Sequence, residues 1–200
     1  MPLVAQDSVT KERIDITRFA NPKEKLVGRH LVCPACNTNL GIVAGNLKVN
    51  HFRHKITCSS DSSFETHPET AQHLQAKEYL ADELRADLNE LGDSQEQVKV
   101  ELEVRLKEVR RQADILITYP FGSRIAHEIQ LFPTNPKELE ARTDDYLRAG
   151  IDTVWWFGER NNTAENNNWS KERFGCIYYI GFGEIEVDGK AAITLSLDNG

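Results

Sequence analysis

Polar and apolar residues alternate over residues 97–105 (QVKVELEVR), the period of a strand with one buried face. The next stretch, RQADILITYPFGSRIAHEIQ over 111–130, reads as two more strands joined by a turn at 119–123. Helical spacing flanks these three strands. Leu74, Leu80, Leu84 and Leu88 mark a helix over 69–91 that Gly92 stops; Leu139, Ala141 and Leu147 mark another over 135–149, ending at Gly150. A short apolar run at 153–157 (TVWWF) follows as a strand, with Trp155 and Trp156 packing on opposite faces. The predicted order is helix, three strands, helix, strand, an α/β fold. Residues 173–197 alternate enough to add strands to the sheet. Two polar stretches punctuate the chain: Ser-rich 59–66 as a linker and Asn-rich 158–168 as a loop. The expected division is an N-terminal segment, 1–60, and a domain over 61–200 with a C-terminal strand extension.

The strand pattern places candidate chemistry. Glu128 and Gln130 project from one face of their strand, with Ile129 on the other. If the strands pair across the 119–123 turn, Asp114 approaches Glu128. Two carboxylates a few ångströms apart suit a hard divalent cation such as Mg²⁺ or Mn²⁺, which favours phosphate-bearing substrates. This arrangement resembles the PD-(D/E)XK nuclease superfamily, with Gln130 where Lys is commoner. On that resemblance, Lys at position 130 would restore the commoner site.

Composition narrows the setting. The 200-residue chain is 40% hydrophobic, enough for a real core, and carries a net charge of −7. That balance argues against a globally basic nucleic-acid binder while leaving local basic patches open. No apolar run approaches the ~20 residues that span a bilayer, and residues 6–12 carry too many charges for a secretory signal. A cytoplasmic protein is expected, with no membrane partner. In that compartment Cys33-Pro34-Ala35-Cys36 reads as a metal knuckle rather than a disulfide half. His51 and His54 are the natural completion of a tetrahedral Zn²⁺ site, with Cys58 as an alternative ligand.

Taken together, these elements resemble the competence protein CoiA-like family, predicted nucleases associated with DNA uptake and recombination. The elements are Cys33 and Cys36, His51 and His54, Glu69-His73-Lys77, Arg111-Ala113-Asp114, Glu128-Gln130, and Arg142-Tyr146. They span roughly residues 30 to 157. The resemblance implies a restriction-endonuclease-like core preceded by a small zinc-binding module. It implies catalytic metal on Asp114, Glu128 and the Ile129 carbonyl, with Gln130, Glu69 and His73 in the catalytic set. Lys77, Arg111, Arg142 and Tyr146 would contact substrate. The expected activity is metal-dependent hydrolysis of DNA in uptake, recombination or processing of foreign DNA, alongside recombination or uptake proteins. The alternative is a weakly active or inactive DNA-binding accessory protein.

Overall fold

The computed structural model describes residues 2–45, 48–56, 70–90, 98–187 and 190–199. The chain opens with β1 (Val4–Asp7) and β2 (Arg13–Asp15), then the single turn α1 (Pro22–Lys25) and β3 (Leu31–Val32). These strands form an antiparallel sheet in the order β2-β1-β3. A hairpin of β4 (Leu40–Gly45) and β5 (Lys48–His54) carries the histidines of the predicted zinc module. The core follows in the expected order: α2 (Ala71–Glu90), β6 (Lys99–Leu106), β7 (Arg111–Thr118), β8 (Arg124–Gln130), α3 (Pro136–Arg148) and β9 (Asp152–Phe157). After α4 (Ala164–Phe174), the strands β10 (Tyr178–Val187) and β11 (Lys190–Asn199) extend the same sheet, as the alternation of the tail implied. The six-stranded order is β11-β10-β9-β8-β7-β6. β8, β9 and β10 run parallel, and the remaining neighbours are antiparallel. Among the described residues, no helix is long and apolar enough to cross a membrane.

Local chemistry sets the helix ends. Thr70 Oγ1 accepts the His73 amide at the start of α2, and Asn135 accepts the Glu138 amide ahead of Pro136 in α3. Gly150, at φ +67°, ends that helix as expected. The Asn-rich stretch 158–168 is not the predicted loop. It makes a 3₁₀ turn at Glu159–Asn161, and α4 begins at Ala164 behind a Thr163 cap. Its asparagines serve buried backbone. The Asn161 amide donates to the carbonyls of Gln130 (2.8 Å) and Phe132 (2.7 Å) and accepts from the Thr134 amide. Asn166 donates to the Thr134 and Asn161 carbonyls. Side chains that elsewhere break structure here tie down the exit of β8.

The N-terminal strands share one apolar cluster with the core. Leu3, Val4, Ile14 and Phe52 pack with Leu74, Leu80, Val100 and Ile115 under α2. Behind the sheet, Ala113, Leu116, Ala126 and Tyr146 form a second cluster beneath α3. Trp156 joins the first cluster; Trp155 lies opposite with Leu139 and Phe157, as expected. β6 changes face midway: Val100 and Leu102 enter the α2-side cluster, whereas Val104 and Leu106 enter the α3-side one. The switch falls at Glu103, which adopts φ +53°, a conformation costing a non-glycine residue about 1–3 kcal/mol.

Because Phe52 is fully buried in the shared cluster, Phe52→Ala should cost about 3–5 kcal/mol. Denaturant unfolding followed by fluorescence and by circular dichroism should report one common transition. Two separated transitions would mean that the N-terminal segment folds apart from the sheet.

Candidate active site and zinc cluster

The site forms where β7 and β8 part. Their ladder pairs Thr118 with Arg124 through to Ile115 with His127 and goes no further. At the next position the two carboxylates replace the missing main-chain partners. The Asp114 amide donates to Glu128 Oε1 (3.4 Å), and the Ile129 amide donates to Asp114 Oδ2 (3.0 Å). Each acid therefore accepts an amide of the opposite strand, and the fork is held open by the groups it exposes. The main chain of Ile129 meets Asp114 through its amide.

Each carboxylate also has a basic partner. His73 Nε2 lies 3.2 Å from Asp114 Oδ2. The Arg142 guanidinium pairs with Glu128 Oε2 while stacking 5.2 Å over the Trp155 ring. Tyr146, one turn further along α3, donates its hydroxyl to Glu128 Oε1 at 2.6 Å. Burial opposes the charge on Asp114, yet His73, Lys77 and the Ile129 amide together hold its carboxyl well below the usual range. Burial dominates at Glu128, which is 1% exposed. Its carboxyl is pushed up to about 7, against the pull of Arg142 and Tyr146 and with help from the Asp114 charge. Burial also raises the Tyr146 phenol, with the Glu128 charge adding to it, so Tyr146 stays a donor.

The remaining expected residues divide. Gln130, 4% exposed, has both ends of its amide engaged: Nε2 donates to the Phe132 carbonyl (2.7 Å), and Arg142 donates to Oε1 (3.5 Å). Arg111 is paired to Asp145 of α3 through two nitrogens, at 2.7 and 2.6 Å. Lys77 lies one helical turn from His73 on the face toward the sheet. It is 1% exposed, and its ammonium bonds Glu103 at 2.7 Å, so it is a buried charge rather than a solvated one reaching out to substrate. Glu69 and Cys58 lie outside the described residues. Glu103 was missed in the sequence: it sits on the polar beat of an alternating strand beside Glu101, and nothing in that pattern separates the two.

The second constellation is a Cys-Cys-His cluster. Ligand atoms of Cys33, Cys36 and His54 lie within 4.8 Å of one another. The Cys33–Asn37 turn closes with the Asn37 amide on the Cys33 carbonyl (2.9 Å), Asn37 at φ +57°, and the Ala35 amide pointing at Cys33 Sγ (3.4 Å). Cys36 Sγ is 3.4 Å from His54 Nε2. Burial raises the Cys33 thiol, which a cation would counter. Two sulfurs and an imidazole suit Zn²⁺. His51 is not in this group: three residues from His54 on one strand, it faces the other way, with Nδ1 2.8 Å from the Val49 carbonyl.

The fork, its paired acids and the flanking helices all lie within residues 71–148. The family model "Competence protein CoiA, nuclease-like domain" matches residues 69–179, and the chain belongs to that family. No curated protein matches it. Among solved structures, that of Pyrococcus furiosus SfsA in complex with Ca²⁺ is similar, with 15% identity over 82% of each chain and a TM-score of 0.38.

Two predictions follow from this geometry. Glu128, whose folded value is raised from 4.5 to about 7, contributes stability that is complete below 4.5 and is lost as pH rises through about 7. Asp114, with its value depressed, has the opposite sign and matters only in stronger acid. In chelator the protein should therefore melt higher at pH 5.5 than at pH 8. Glu128→Gln should flatten that difference, which amounts to roughly 2 kcal/mol between the two pH values; an unchanged slope would remove Glu128 as its source. For the cluster, elemental analysis should find zinc lost in Cys33→Ser, Cys36→Ser and His54→Ala but retained in His51→Ala. Loss in His51→Ala alone would reverse the assignment.

Proposed function

We propose that this protein is a metal-dependent nuclease that hydrolyses DNA phosphodiester bonds at the Asp114–Glu128 fork. The observation that carries the reading is the pair of carboxylates on parting strands, Glu128 buried and Asp114 largely so, each accepting the other strand's amide, inside the segment matched by the nuclease-like family. Such a pair is costly to bury without a cation, and its oxygen donors fit Mg²⁺ or Mn²⁺. A divalent ion held by Asp114 and Glu128 would polarise the scissile phosphate and acidify an attacking water. The chain's own residues do the rest. His73 orients Asp114 and stands ready to hold a proton beside it. Arg142, fixed by Glu128, Gln130 and the Trp155 ring, presents a planar cation suited to phosphate. Tyr146 keeps Glu128 aimed into the fork. The Cys33–Cys36–His54 cluster serves as a structural Zn²⁺ site on this reading.

A second reading, a DNA-binding accessory protein with an idle site, draws on one specific observation: every Glu128 oxygen and both ends of the Gln130 amide already have protein partners. The two are separated by cleavage assays on single-stranded, duplex and branched DNA with Mg²⁺ or Mn²⁺. Asp114→Asn and Glu128→Gln keep the acceptors that Ile129 and Tyr146 need, so the fold should survive. Cleavage should fall at least ~100-fold in each. Binding without cleavage in the parent would favour the accessory reading.

The environment of Gln130 reverses the expectation for lysine at that position. Gln130→Lys would set a second cation against Arg142 and leave the Phe132 carbonyl with a changed donor. It should lower both melting temperature and cleavage. Enhanced cleavage in that variant would mean that Arg142 does not supply the charge that lysine provides elsewhere.

A further inference from the structure

Glu103 occupies the position across from Asp114. The pairs on either side of it, Leu102 with Ile115 and Val104 with Ala113, keep a single register, which sets 103 against 114. Its left-handed backbone, at φ +53°, interrupts β6 at that point. The carboxylate is fully engaged: it accepts the Leu3 amide at 3.0 and 3.1 Å, the Val4 amide at 3.3 Å, and the Lys77 ammonium at 2.7 Å. The Arg13 guanidinium caps the main chain on the outer side, at the Leu102 carbonyl and, at 3.2 Å, the Glu103 carbonyl. Apart from Lys77, every donor comes from the N-terminal strands.

A further buried acid beside Asp114 and Glu128 would repel both unless neutralised. Lys77 neutralises it, and does so from the same helix face that delivers His73 to Asp114. An apolar pair would have packed this space as well, so packing alone does not account for two buried charges. We propose that Glu103 is a positioning residue of the site: it holds the Lys77 ammonium beside Asp114 and makes the charge of the fork depend on docking of the N-terminal strand. Its effect on catalysis rests on the nuclease reading; its link to the N-terminal strand does not.

The test uses the full chain and Mn²⁺ as the probe. In Glu103→Gln the Lys77 charge stands uncompensated, and calorimetry should find Mn²⁺ bound about tenfold more weakly. Lys77→Met combined with Glu103→Gln removes both charges. Its Mn²⁺ affinity should return to within about threefold of the parent, while DNA cleavage stays down by ~100-fold. Should the single variant fail to fold, the charge-neutral double variant carries the comparison. Hydrogen exchange read by NMR supplies an arm free of metal and activity: in Lys77→Met, the Leu3 and Val4 amides should exchange faster relative to other β1 amides. Unchanged exchange at Leu3 and Val4 overturns the link itself. Equal Mn²⁺ affinity in parent and Glu103→Gln, or a double variant that cleaves like the parent, overturns the positioning role. A parent that neither binds Mn²⁺ nor cleaves DNA instead overturns the nuclease reading, and the exchange arm then decides the link on its own.

Discussion

The fork between β7 and β8 is the constraint around which this molecule is arranged. Ending a ladder inside a sheet strands backbone amides that water cannot reach, and each such group costs about 1–3 kcal/mol if left unmade. Asp114 and Glu128 accept the amides of Ile129 and Asp114 and so make the opening tolerable. They also bring negative charge into a place where an uncompensated ion costs several kcal/mol. The helices on either side deliver the compensation: His73 and Lys77 from α2, Arg142 and Tyr146 from α3. Buried polarity at the fork is thus a closed set in which every member stabilises another.

The same logic explains why the N-terminal segment packs into the sheet. β6 is an edge strand whose carbonyls and bend would face water without cover. Arg13 and the amides of Leu3 and Val4 cover it at the bend, and Leu3, Ile14 and Phe52 bury their side chains in the α2-side cluster. The Cys33–Cys36–His54 group then brings the hairpin's open end, where Leu40 pairs with His54, against the knuckle. The cluster gathers at the open end of the hairpin, and Leu40 and Phe52 anchor the hairpin in the shared core.

How far the sequence predicts this can be judged residue by residue. Alternation and helix signals were enough to order α2, β6 through β9 and α3, although β8 is buried on both faces from Ala126 to Gln130. The Glu-x-Gln spacing placed Glu128 and Gln130 on one face, and the turn at 119–123 brought Asp114 to them. What failed to show were features set by tertiary contact. Glu103 looks like any exposed strand glutamate until its left-handed backbone turns it inward. The 158–168 asparagines look like loop residues because their value lies in the distant carbonyls of Gln130 and Phe132. His51 and His54 look like a pair because spacing alone does not say whether three residues span a helix turn or cross a strand. Lys77 looks solvated because its partner is twenty-six positions away.

Gln130 joins these strands of argument. A lysine in its place would share a pocket with Arg142, two cations competing for Glu128 in surroundings that solvate neither. With glutamine there, one guanidinium can sit between Glu128 and the amide oxygen, over the Trp155 ring. Guanidinium is the more weakly hydrated cation and the easier one to bury. Arg142 on α3 and Lys77 on α2 carry positive charge toward the fork from the two flanking helices.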